Sequence, residues 1–240
     1  MRFESFGAGA QAVRVLAQSG LQPAGCRLLD PVEAALNGAG DGTWAVLVLA
    51  FESTWRLVDD DLELAVGLCR DAGGTVVAAR ETGPAEQWRS SFLRAPYLRD
   101  ALIGLGMVVE TFETATTWDR FAALHADVVA ATQAAVVSAC GDGIVTCRLT
   151  HAYPDGAAPY FTVIAPGRRG VEAEQWAQIK HTASSALAAA GGTITHHHAV
   201  GRDHRLWYDR QRPDLFAAAL AAAKGAVDPG GIMNPGVLLD

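Results

Sequence analysis

Two strand-like runs either side of a four-residue turn constrain this chain more than any other feature. GIVTCRLTHAY (143–153) and APYFTVIAP (158–166) are rich in Val, Ile, Thr and aromatics, and PDGA lies between them. That pattern predicts an antiparallel hairpin. A hairpin of that apolarity needs a larger sheet and a covering layer. The rest of the chain supplies both. TWAVLVLAFE (43–52) reads as a buried strand, with GCRLLD (25–30), GTVVAA (74–79) and MVVETFET (107–114) as further strands. Between them lie helical periods at 8–19, 53–73, 116–140 and 172–192. In DPVEAAL, Asp30 can cap a short helix with Pro31 at its first position and Glu33 at its third.

This order predicts an α+β fold. Its antiparallel sheet would carry helices on one face, in two loosely similar halves of ferredoxin-like, duplicated character. Residues 1–192 form that unit. Residues 193–240 depart from this rhythm. They hold a loop, short helices near 203–211 and over 213–227, and a turn-rich tail ending in apolar VLL that should dock on another surface.

Composition narrows the classes. The chain has 240 residues, half of them hydrophobic, and a net charge of −7, which argues against a nucleic-acid partner. Four cysteines form no CxxC pair and suit a reducing compartment. MRFESF has no apolar stretch after its charge, and the apolar run at 44–51 is too short to span a bilayer, so a cytoplasmic location is expected. No GxGxxG follows a strand, and there is no Walker loop, HExxH or GxSxG.

The chemistry-bearing feature is GGTITHHHAVGRDH (191–204). If the segment is extended, His196 and His198 share one face and His197 points the other way. Two histidines could begin a metal site, with His151, Asp203 or His204 as further ligands. Three imidazoles also suit acid–base work near neutrality, with crowding that disfavours charging all of them. A solvated turn is the third reading.

The wider pattern points to a family. GGTITHHHAVGRDH followed by DPGGIMNPG, together with PYLRDALIGLGMVVETFETATTWDR (96–120) and CRLTHAYPDGAAPYFTV (147–163), resembles the C-terminal part of FAD-linked oxidases of the vanillyl-alcohol-oxidase type. The triple histidine is most similar to the alkyldihydroxyacetonephosphate synthase (alkylglycerone-phosphate synthase) branch. The resemblance implies a cap domain covering the substrate side of an FAD that is mostly held by a domain or chain outside this sequence. It implies exchange of acyl for alkyl on dihydroxyacetone phosphate. The alternatives are a cap of an FAD-dependent 2-hydroxy-acid oxidase or an orphan cap without activity of its own.

The resemblance also implies site residues. Tyr160 matches the family's acid–base tyrosine, and His196, His197 and His198 its flavin-side histidines. Arg99 in PYLRD matches the phosphate-holding arginine, with Arg148 and His151 as weaker substrate-binding candidates. His197, His198 and Asn234 would face the cofactor, and no metal is implied. Read from residue type alone, Tyr160 is an aromatic in a half-buried strand, Arg99 a surface partner of Asp100, and Arg148 an exposed strand arginine. Two departures from the branch stand out: Ala199 where glycine is usual, and Thr162 after Phe161. The implied partners are a small molecule, with a phosphate-bearing lipid precursor as the candidate, and the FAD-binding half. A second copy of the chain is a further candidate.

Overall fold

The hairpin forms as the turn signal requires. In the computed structural model, which describes residues 1–77 and 97–239, β6 (Ile144–Ala152) and β7 (Gly156–Pro166) pair from Ile144↔Ile164 to Ala152↔Ala157. Tyr153 N–H donates to the Gly156 carbonyl at 2.7 Å, closing a tight reversal over Pro154 and Asp155.

Around it lie β1 (Arg2–Phe3), β2 (Gly25–Leu29), β3 (Ala45–Ala50), β4 (Met107–Glu113) and β5 (Thr116–Thr117). All pairings among the described residues are antiparallel, in the order β1-β3-β2-β6-β7-β4, with β5 on β7. The helices are α1 (Phe6–Gln18), α2 (Pro31–Leu36), α3 (Asp59–Asp71), α4 (97–104), α5 (Trp118–Cys140), α6 (Glu172–Ala189), α7 (Gly201–Gln211) and α8 (Asp214–Val227). The duplication is visible in this order. Apart from the short α2 and β5, each half runs strand, helix, strand, strand, helix: β1-α1-β2-β3-α3, then β4-α5-β6-β7-α6. Each places its second strand at the sheet centre, so the halves join where Leu28 faces Leu149 and Leu29 faces Arg148.

Strand alternation sorts the two sheet faces. Leu28, Leu47, Phe112, Cys147, Leu149, Phe161 and Val163 face α1, α3, α5 and α6 in one continuous core. Phe112 and Phe161 are cross-strand partners whose rings stack at 4.9 Å. On that same face the Glu110 carboxylate is buried and satisfied by Lys180 Nζ (2.6 Å) and Trp176 Nε1 (2.5 Å). α5 has the length and apolarity of a membrane-crossing helix. Its Phe121, Leu124, Val128 and Val136 are nevertheless buried here, against sheet and helix.

The opposite face is covered differently in the two halves. Over the first half, α2 seats Ala34 on Leu29 and Val46 in a small second core. Asp30 caps α2 as expected, accepting from Glu33 N–H at 2.7 Å. The Glu33 side chain, however, leaves the cap. It reaches β6, where it accepts from Arg148 (2.5 Å) and Thr146 (2.5 Å).

Boundaries moved where local competitors won. The helix expected from residue 53 begins at Asp59, because Ser53 Oγ accepts from the Trp55 and Arg56 N–H groups and holds a turn there. The strand expected at 74–79 falls partly outside the described residues. Within them, Thr75 makes one antiparallel bridge to Arg2.

Candidate functional site

The uncovered face of the second half carries the chemistry. Tyr160 on β7 and Glu113 on β4 are register partners and share that face. Arg148 on β6 is Tyr160's partner on the other side. Its guanidinium carbon lies 3.9 Å from the Tyr160 ring centroid while Nη1 holds Glu33. Arg148 is therefore neither an exposed arginine nor an unpaired anion hook. It is half-buried and tied, and it presents positive charge to the phenol face.

His151 reaches the same face through a bulge. Strict alternation would send it to the core beside Leu149. The register steps from Leu149↔Pro159 to His151↔Ala158, so Thr150 is the extra residue and His151 joins the Tyr160 side.

The 196–198 segment is not extended, which corrects the expected alternation. Its N–H groups converge: those of His196 (3.2 Å), His197 and His198 (2.6 Å) all donate to Glu113 Oε1. This fold of the backbone groups the rings differently. His196 and His197 gather with His151, with centroids 5.8 and 4.1 Å from the His151 ring, and His198 meets Tyr160 edge-on at 5.3 Å. Tyr153 Oη lies 3.2 Å from His196 Nε2. His204 points elsewhere, its Nδ1 bonded to the Ala199 carbonyl at 3.0 Å. Ala199 does not adopt positive φ, so its methyl imposes no left-handed strain.

Burial, then the neighbouring imidazoles, push His151 and His196 below the ordinary histidine value, with Glu113 opposing. Burial alone would raise the Glu113 carboxyl. The N–H bonds from His197 and His198 and the adjacent rings outweigh it and hold the group below its usual range. Ring nitrogens of His151, His196 and His197 lie within 4.8 Å of one another, so these are the described residues that could hold a metal ion.

Two expected residues stand apart. Arg99 is exposed on α4, and Asn234 is exposed in the tail with φ +47, which asparagine tolerates. None of the hydrogen bonds, ion pairs or ring contacts among the described residues joins either to the histidines. Glu113, Glu33 and Tyr153 were missed by sequence reasoning. A carboxylate in the strand run MVVETFET was the available signal for Glu113, but its register with Tyr160 is not written locally.

Comparison with known proteins identifies the family. The family model for the C-terminal domain of FAD linked oxidases matches residues 1–238. The chain belongs to that family. Within it, the chain is 28% identical over 269 residues to the alkyldihydroxyacetonephosphate synthase of Caenorhabditis elegans, spanning 99% of this chain and 44% of that protein. It is 28% identical over 197 residues to the synthase of Trypanosoma brucei brucei, spanning 81% of this chain and 31% of that one. The chain thus spans less than half the length of these relatives. Among solved structures, an alkyldihydroxyacetonephosphate synthase matches with TM-score 0.69 at 18% identity, over 98% of this chain and 42% of that one. The 4-ethylphenol oxidase of Gulosibacter chungangensis matches with TM-score 0.55 at 14% identity, over 98% and 46%. At those identities the structural likeness shows the fold.

Proposed function

We propose that this FAD-linked oxidase C-terminal domain is the substrate-side half of a flavoenzyme of the alkyldihydroxyacetonephosphate synthase type. That enzyme would exchange acyl for alkyl on a dihydroxyacetone phosphate ester. The observation that carries the reading is the Arg148–Tyr160–His198 stack on an uncovered sheet face. It places the phenol ring between a cation and an imidazole, the kinds of neighbour that general acid–base chemistry uses.

The residues fit a flavin as one wall of its site and not as its cradle. The sequence has no phosphate-binding glycine loop, and α8 and the tail expose Leu215 (87%), Val227 (84%) and Ile232 (79%), as a surface made to be covered would. FAD, held mainly by the other half, would supply an electron-accepting ring. His197, His198 and Asn234 would face it.

Within this chain, Tyr160 takes the proton from the carbon beside the substrate ketone. Tyr160 does so as the phenolate, which Arg148 stabilises beforehand, and so becomes the neutral phenol; His198 relays the proton onward and restores the phenolate. His151 and His196, whose proton affinity burial and the neighbouring imidazoles lower, would offer a second acceptor. Arg99 would receive the phosphate from the α4 side, where a planar fork suits two oxygens at once.

The test is Tyr160→Phe in the complete two-part enzyme. Acyl–alkyl exchange should fall by about 100-fold or more with folding unchanged, in line with the usual weight of a general acid–base group. Near-normal exchange removes Tyr160 from the chemistry. Reduction of the flavin by a 2-hydroxy acid under anaerobic conditions, without any exchange, would replace the synthase reading with an oxidase.

A further inference from the structure

Glu113 carries no role in the chemistry above, yet its contacts are the densest in the site. Its side chain is 4% exposed, and it lies at the end of β4. A carboxylate so placed must be richly hydrogen-bonded to stay ionised. Oε1 takes three successive backbone N–H groups. Converging N–H groups of this kind ordinarily form a nest for an external anion. Here the protein fills the nest with its own carboxylate.

Oε2 is left facing rings, at 3.6 Å from His197 Nδ1 and 4.0 Å from His196 Nδ1. His196 Nδ1 is buried and has no hydrogen-bond partner among the described residues, so a small rotation toward Oε2 would satisfy it. The titratable groups around Glu113 are His196, His197 and His198 of the loop, His151 of β6, Tyr160 of β7 and Tyr153 of the turn. Among the described residues, Glu113 forms its ion pairs with His196 and His197.

We infer that Glu113 is the positioning residue of this site: one carboxylate that fixes the 196–198 loop through its backbone and biases the charge of the imidazoles beside it. Because Glu113 and Tyr160 are register partners, the ladder that sets the phenol also sets the anchor of the loop, and the phenol-to-imidazole spacing is fixed by one pair of strands. The carboxylate also opposes the mutual repulsion of the clustered rings, so that one proton can be accepted there.

The inference uses from the preceding section only that these imidazoles handle protons, and it is tested without substrate. Amide exchange and histidine ring titrations are followed by NMR in this chain, in wild type, Glu113→Gln and Glu113→Ala. The alanine variant should raise exchange at residues 196–198 by about tenfold or more, the weight of hydrogen bonds to a charged acceptor. Protection in β6 and β7 should be unchanged. The glutamine variant keeps an acceptor and loses the charge. It should lower the proton affinity of His196, whose Nδ1 lies 4.0 Å from the carboxylate, by about fivefold, the effect of a unit charge at that distance in a water-like medium. Unchanged loop exchange in the alanine variant would overturn the anchoring role. Unchanged titration in the glutamine variant would overturn the electrostatic one. If both effects appear but the complete enzyme exchanges no acyl for alkyl, the functional reading fails and the role of Glu113 stands.

Discussion

The two halves of this domain share a chain path and differ in one connection. In the first half, β2 and β3 are joined through α2, which lies on the sheet and seals Leu29, Ala34 and Val46 away from water. In the second, the equivalent strands β6 and β7 are joined by a tight turn at Pro154 and Asp155, which covers nothing. The sealed half presents apolar side chains beneath its helix. The open half presents Tyr160, Arg148 and His151, with Glu113 buried beneath the 196–198 loop. A duplicated scaffold thus yields one structural half and one reactive half, because one loop was long enough to fold back and the other was not. The halves are not independent: Glu33 of the seal holds Arg148 of the open face, so the packed half helps to orient the reactive one.

Four measurements test this contrast. The largest effect is expected at the seam. Leu149 is fully buried opposite Leu28, and Leu149→Ala should cost about 2–5 kcal/mol. Since one core spans both halves, the loss should appear as a single cooperative transition in denaturant. Two resolved transitions would show the halves to be separate units.

Next is Glu33→Gln, which removes a charge 3% exposed from a half-buried pair and should destabilise by about 3 kcal/mol. In the complete enzyme it should also lower turnover, because Arg148 loses the charged partner that holds it over Tyr160. Stability lost with turnover intact would mean that the seal serves only folding.

The third is a pH effect. His125 is packed against Phe6, Phe121 and Phe161, and burial lowers its proton affinity, as burial does first for His151, His196 and His204. Folded values below unfolded ones mean that the unfolded chain binds more protons. Stability should therefore be full above about pH 6.5, the ordinary histidine value, and fall as pH drops through and below it. Tm measured between about pH 7 and 5 checks the direction. His125→Phe, at the edge of the shared core, should flatten part of the slope without touching the open face.

The smallest effect belongs to Ala199→Gly. Ala199 has no positive φ to relieve, so glycine should destabilise slightly, by under about 1 kcal/mol, chiefly through the unfolded chain. A stabilised protein would show that the methyl strains the loop after all.

Much of the scaffold was legible because it rests on local rules. The hairpin at Pro154 and Asp155, the Asp30–Pro31 cap and the periodicity of α5 and α6 each follow from a few neighbouring residues. The candidate site was legible as a set of residue types: Tyr160 and the three histidines, singled out in the sequence, lie close to one another in the fold. Their arrangement was not. Reading 196–198 as extended separated His196 from His197, whereas three N–H groups turned onto Glu113 bring those two rings to His151 and leave His198 to Tyr160.

Residue order alone specifies which segments are strands and helices, that they repeat, and which side chains can carry a proton. Period, caps and turn chemistry act over a few residues and need no partner. Which face those side chains share is settled only when the sheet assembles. That outcome depends on strand register, on the extra residue at Thr150 that turns His151 outward, and on a carboxylate 84 positions before the His197 amide it holds. Such relations exist only once distant strands are hydrogen-bonded side by side, where a shift of one residue would send each side chain to the other face.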